Sequence, residues 1–145
     1  MAGLIGEEAL LMAQKVWQLM SKGKGYEKSL QQVVITAAGQ GGCTAEFKVE
    51  EGMTNRGGSL HGGCTATLID CISTIGLMTG KNQSPGVSIN LSVSYLKGAL
   101  EGETIVIDTK TVKSGKTLAF LEAVLKKKES GDIVATGTHI KFIGS

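Results

Sequence analysis

Long apolar runs, a strong charge of either sign and clusters of metal-binding side chains are all missing from this 145-residue sequence, and each absence removes a class of function. Every apolar stretch is broken by Gly, Thr or charge before the roughly 20 residues that a bilayer-spanning helix takes, so no integral membrane protein is expected. Residues 1–6 lead straight into Glu7 and Glu8, without the basic start and long apolar centre of a secretory signal; an intracellular protein is expected. Net charge is only +2, too little to make a nucleic acid the partner, although a few lysines suffice for a small phosphorylated ligand. The triple Lys126-Lys127-Lys128 precedes the turn-like Glu129-Ser130-Gly131-Asp132 and reads as a solvated strand end.

Cysteine and histidine are scarce. Cys43, Cys64 and Cys71 are odd in number and sit among small or apolar residues, which reads as reduced, buried thiols. With only His61 and His139 beside them, the spacings do not repeat the paired ligands of a zinc site, and no metal is expected.

One domain's worth of chain remains. Leu10, Leu11, Val16, Trp17, Leu19 and Met20 recur near helical spacing between Glu7, Glu8, Gln14 and Lys15, which predicts an amphipathic helix over residues 5–20. Gly23 and Gly25 stop it and form a flexible link; the Lys-Gly alternation there lacks the spacing of a phosphate loop. Residues 1–25 are thus a helix and link, and residues 26–145 the principal domain. Val33, Val34, Ile35 and Thr36, a glycine cluster at 39–42, and Ala45, Phe47 and Val49 alternating with Glu46 and Lys48 predict a hairpin. Strands follow at residues 87–96, 103–112, 118–127 and 133–142, with turns at Ser114-Gly115 and Ser130-Gly131.

Between hairpin and strands, residues 60–78 place Leu60, Ala66, Leu68, Ile69, Ile72, Ile75, Leu77 and Met78 on every side of a helical wheel. Such a helix is expected to be enclosed on all sides. One enclosed helix among antiparallel strands implies an α+β domain whose curved sheet wraps the helix, the hotdog fold.

Asp70 stands in this helix between Ile69 and Ile72. Burying an unpaired carboxylate is costly, so a buried acid needs a partner or a task. A structural Asp bonded by nearby Thr or Ser is as compatible with the helix alone as a functional one. The approach Thr54-Asn55-Arg56-Gly57-Gly58-Ser59-Leu60-His61-Gly62-Gly63 ends at the helix N-terminus, where free N–H groups and the helix dipole favour an oxyanion. A tight turn feeding a buried helix would also use a Gly-Gly pair, but Asn55, His61 and Asp70 in one short stretch favour a site. Gly62 and Asp70 are about 12 Å apart along a helix axis at ~1.5 Å per residue, too far for one carbonyl to touch both. Two helices packed antiparallel about a two-fold axis would bring the N-terminus of one to the middle of the other.

Four runs, residues 54–63, 65–70, 85–88 and 113–120, resemble in order the small hotdog acyl-CoA thioesterases, a likeness reaching from about residue 26 to the C-terminus. The resemblance implies that Asp70 activates water as general base and Ser88 orients that water. It implies that Asn55 and the Gly62 N–H polarise the thioester carbonyl while His61 positions. Ser88, Asn90, Tyr95, Leu96, Lys97, Gly98, Ala99 and Leu100, with Lys113, Ser114, Gly115, Lys116, Thr117 and Leu118, would line the coenzyme A channel, Lys113 and Lys116 meeting its phosphates. No cofactor is implied, since coenzyme A is part of the substrate. Members are typically homotetramers, dimers of hotdog dimers, in cytosol and mitochondria, and a lipid-transfer protein is an implied partner. Cys71 and Asn90 depart from the family's usual polar and acidic residues, which bears on acyl-chain specificity more than on chemistry. The implied reaction is hydrolysis of medium- to long-chain fatty acyl-CoA. A hydratase or dehydratase, and an acyl-CoA or lipid-binding module without turnover, are the other readings of the fold.

Overall fold

The computed structural model of the chain describes residues 3–144. Helix α1 spans Gly6–Ser21 and is followed by a 3-10 turn, Tyr26–Leu30, that the sequence pattern did not announce. Strands β1 (Val34–Gly39) and β2 (Gly42–Lys48) form the expected hairpin. Gln40 and Gly41 at its tip both have positive φ, 51° and 90°, the twist that a two-residue hairpin loop needs. Helix α2 spans Gly62–Met78. Then come β3 (Val87–Tyr95), β4 (Thr104–Ser114), β5 (Leu118–Lys127) and β6 (Ile133–Phe142). The six strands form one antiparallel sheet in the order β1-β2-β4-β5-β6-β3, and α2 lies in its concave face as the hotdog fold requires. Among the described residues no helix is long and apolar enough to cross a membrane.

The inward face follows from strand alternation. Ala45, Phe47, Ile105, Ile107, Ala123, Leu125 and Ala135 are buried in one cluster with Leu68, Ile69, Ile72 and Ile75 of α2, and Leu121 packs with Leu77. Gly137 lets α2 seat closely on β6: a Cβ there would stand 2.9 Å from Ile69 Cδ1. Cys43, Cys64 and Cys71 are all buried and unpaired, and burial pushes their thiols up to about 12, about 11 and about 12. The lysine triple is a strand end held by acids, with Lys126 on Asp108, Lys127 on Glu103 and Lys128 on Glu46.

The two edges of the sheet differ. At β1, α1 buries Ala9, Ala13 and Trp17. Trp17 Nε1 donates to Val33 O at 2.9 Å and Gln14 Nε2 to Ile35 O at 3.1 Å, so the helix satisfies carbonyls of that edge. At β3 no further strand pairs among the described residues, and Val87, Ile89, Tyr95 and Leu96 are exposed.

The structure corrects one expectation about α2: it is not enclosed on all sides. Gly63, Thr67, Asp70 and Thr74, spaced three and four residues apart, form a stripe that is only partly covered, or in the case of Gly63 exposed. Along that stripe the small and polar residues interrupt the apolar wheel, and the described residues leave it partly open.

Candidate active site

The same open stripe decides the environment of Asp70. Its side chain is 47% exposed, so the carboxylate is not buried within one chain as the apolar flanks suggested; Ile69 and Ile72 point into the sheet while Asp70 points along the gap. The ladder between β3 and β6 brings partners to it. Ser88 pairs with Lys141 and Leu91 with His139, which places both His139 and Lys141 on the inward face. Ser88 Oγ lies 3.4 Å from Asp70 Oδ1 and 2.7 Å from His139 Nε2. His139 Nδ1 is 2.9 Å from Ser73 Oγ, and Nε2 is 3.6 Å from the carboxylate.

For Ser88 to donate to Asp70, His139 must donate to Ser88 through Nε2–H and accept from Ser73 at Nδ1. A neutral ring does this. His139 is 1% exposed, and burial holds its pKa below the ordinary 6.5, with Lys141 acting in the same direction and Asp70 opposing. Sequence reasoning missed His139; the signal available was a polar residue at an inward position of β6, where its neighbours two residues away are Gly137 and Lys141.

The other predicted residues gather about two helical turns away at the start of α2. His61 caps the helix, its Nδ1 accepting from the Gly63 N–H at 2.8 Å. Asn55 Oδ1 accepts from the N–H groups of Gly57 and Ser59 at 2.9 and 3.2 Å, shaping the loop and leaving its Nδ2 as the amide's donor. The Gly62 N–H has no acceptor among the described residues, as expected of a first-turn amide. Tyr95 spans the strand and the helix: its hydroxyl donates to Gly62 O at 2.7 Å, and its ring lies 3.3 Å from where a Gly62 Cβ would stand.

The chain therefore builds two half-sites and keeps them apart. One holds Asp70, Ser88, His139 and Ser73; the other holds Asn55, His61, Gly62 and Tyr95. Each also carries one segment predicted to line a coenzyme A channel. Residues 96–100 run beside the Gly62 half-site, where Leu60 N donates to Ala99 O at 2.7 Å and Leu100 bridges Ser59. Thr117 and Leu118 lie towards Ser88: Leu118 pairs with Phe142, which pairs with Val87.

The structure places several of the predicted lining residues away from Asp70 and Gly62 or in other contacts. Ala99 is buried in the core, so its side chain lines no open channel. Lys97 is engaged by Asp132 at 2.6 Å. A bulge between Ser88 and Asn90 pairs Asn90 with Ile140 and so turns it to the outward face, away from Ser88. Lys113 and Ser114 line a cavity of about 380 Å³ together with Lys81 and Asn82, beyond the C-terminal end of α2, and Asp70 is not among its walls.

A thioesterase superfamily model matches residues 57–134, the stretch from the loop before α2 into β6. The chain belongs to the thioesterase superfamily. This thioesterase is 42% identical over 131 residues to acyl-coenzyme A thioesterase 13 of Mus musculus, covering 90% of this chain and 94% of that protein. The crystal structure of zebra fish thioesterase superfamily member 2 superposes with a TM-score of 0.91 at 40% identity, covering 93% of this chain and 98% of the other. A Streptococcus pneumoniae thioesterase solved with coenzyme A superposes with a TM-score of 0.73 at 25% identity, covering 79% and 88% of the two chains. Gly62, Asp70, Ser88 and Tyr95 lie within the matched stretch 57–134, and Asn55 and His139 lie just outside it.

Proposed function

We propose that this thioesterase hydrolyses fatty acyl-CoA of medium to long chain in a site assembled from two protomers. The observation that carries the proposal is the separation of the two half-sites along one open helix stripe and one open sheet edge. Joining the uncovered β3 edges of two copies about a two-fold axis would cover that edge, as α1 covers β1, and would oppose the Gly62 half-site of one chain to the Asp70 half-site of the other. Pairs of such dimers would make the tetramer.

In the assembled site the Gly62 N–H and Asn55 Nδ2 meet the thioester oxygen, with the positive end of the α2 dipole behind them. Asp70 and Ser88 hold a water. The water oxygen bonds to the acyl carbon as its proton passes to Asp70, and negative charge moves to the carbonyl oxygen. When that charge returns, the C–S bond breaks; Asp70 gives its proton to the departing sulfur, so coenzyme A leaves as the thiol, and the fatty acid loses its remaining proton to solvent and leaves as carboxylate. An oxyanion donor of this kind contributes about 10²- to 10³-fold in rate, and a general base about 10²- to 10⁴-fold.

The hydratase reading would need a histidine at the substrate carbons. Of the two histidines, His139 has both ring nitrogens on serines and is 1% exposed, and His61 uses Nδ1 to cap α2 at Gly63, which supports hydrolysis. The binding-module reading shares everything except turnover. Thiol release from a panel of acyl-CoA chains tests all three. Thiol should appear with the parent, and Asp70→Asn should bind an inert ketone analogue normally yet lose about 10²- to 10⁴-fold in kcat; near-normal turnover in that variant would refute the role of Asp70. Direct attack by the carboxylate through a mixed anhydride would instead place oxygen-18 from solvent in Asp70 after a single turnover.

A further inference from the structure

Lys141 is 4% exposed, a rare state for a lysine. It stands on β6 two residues beyond His139, directly across the ladder from Ser88, and its Nζ donates to Thr74 Oγ1 at 2.7 Å. Thr74 lies one helical turn after Asp70 on the open stripe of α2. The ammonium is thus held on the Asp70 side of the helix by a hydroxyl, not by a salt bridge of its own.

The groups facing this region come from three elements. From α2 come Asp70 and Cys71, from the 3-10 turn Glu27, whose Oε2 is 4.0 Å from Cys71 Sγ, and from β6 His139 and Lys141. Cys71 is a neutral thiol, since burial, then the charges of Asp70 and Glu27, push it up to about 12. His139 is neutral for the reason given above. Lys141 is the cation of this cluster. Burial pulls its pKa below the ordinary 10.5 while the charge of Asp70 opposes the fall.

We propose that Lys141 is a positioning residue, the buried countercharge that keeps Asp70 ionised when a partner protomer and an acyl chain cover the stripe and exclude water. This rests on the two-protomer thioesterase reading and deepens it. Water now reaches the half-exposed carboxylate; removing that water favours the neutral acid, and a neutral Asp70 has no capacity to take a proton from the attacking water. A fixed ammonium nearby offsets the loss without touching the substrate.

The test uses the assembled protein in two readouts: the pH profile of kcat/KM with an acyl-CoA, and the ¹³C carboxyl signal of Asp70 followed against pH with a ketone analogue bound. Lys141→Met keeps length and removes charge; both readouts should move to higher pH by about one unit or more, roughly a tenfold loss on the acid limb, with KM little changed. Lys141→Arg should return both towards the parent, and Thr74→Val, which only releases the ammonium, should move them the same way by less. If Lys141→Met does not fold, the Arg and Val variants decide. Unmoved readouts in Met and Val variants, or an Arg variant whose acid limb and carboxyl signal move up as far as charge removal predicts, overturn the proposal. A parent that cleaves no acyl-CoA while the carboxyl signal still moves upward overturns the thioesterase reading and supports the countercharge.

Discussion

Mixing two inactive variants tests whether the site is shared between chains. Asp70→Asn disables one half-site and Asn55→Ala the other, and because each half-site is complete within its own chain, the damage is confined to one side in each variant. In a heterodimer, intact Asp70 of one chain faces intact Asn55 of its partner, while the second site carries both lesions. Unfolding and refolding an equimolar mixture gives about half heterodimers, each with one of two sites intact, so thiol release should recover to about a quarter of the parent rate. Each variant alone should stay about 10²-fold or more below the parent. A control follows from the 3.4 Å contact of Ser88 with Asp70: Asp70→Asn mixed with Ser88→Ala damages the same half-site in every chain and should recover nothing. Activity of the first mixture no higher than the mean of its components would refute the shared site, as would a monomeric protein of full activity.

Two further outcomes follow from single contacts. Because burial holds His139 below its ordinary 6.5, the fold favours the neutral ring; its contribution to stability is whole above pH 6.5 and is lost as pH falls from 6.5 through the lowered folded value. Tm measured against pH should decline across that window in the parent, and His139→Gln should flatten the decline; an unchanged slope would mean that another group is responsible. Tyr95→Phe removes the 2.7 Å bond to Gly62 O but keeps the ring against Gly62, and should cost about 1 kcal/mol of stability by denaturant titration. Its kcat should fall severalfold with KM nearly constant, because the bond fixes the residue that carries the oxyanion donor; a change confined to KM would assign Tyr95 to coenzyme A binding alone.

Periodicity made most of the fold legible. The period-2 strands, the turns at Ser114-Gly115 and Ser130-Gly131 and the apolar helix over residues 60–78 all correspond to elements of the structure, because burial of one face is written into each segment's own spacing. The loop from Asn55 to Gly63 was legible for a similar reason: capping and turn chemistry is local, and His61 and Asn55 serve their neighbours' backbone. The two 3-10 turns, Tyr26–Leu30 and Glu51–Met53, carry no period long enough to read.

Local pattern in the chain was thus enough for the set of elements and for naming the acid, glycine and asparagine of the proposed site. The distances between those groups are set by how the elements pack. His139 reaches Asp70 and Lys141 reaches Thr74 across more than sixty residues of chain, through a strand register that no local pattern specifies, and the bulge after Ser88 turns Asn90 away although simple alternation would have kept them together. The open stripe on α2 is likewise a property of packing: a wheel shows which residues are apolar, whereas which side stays uncovered depends on where the sheet ends, and here it ends at β3.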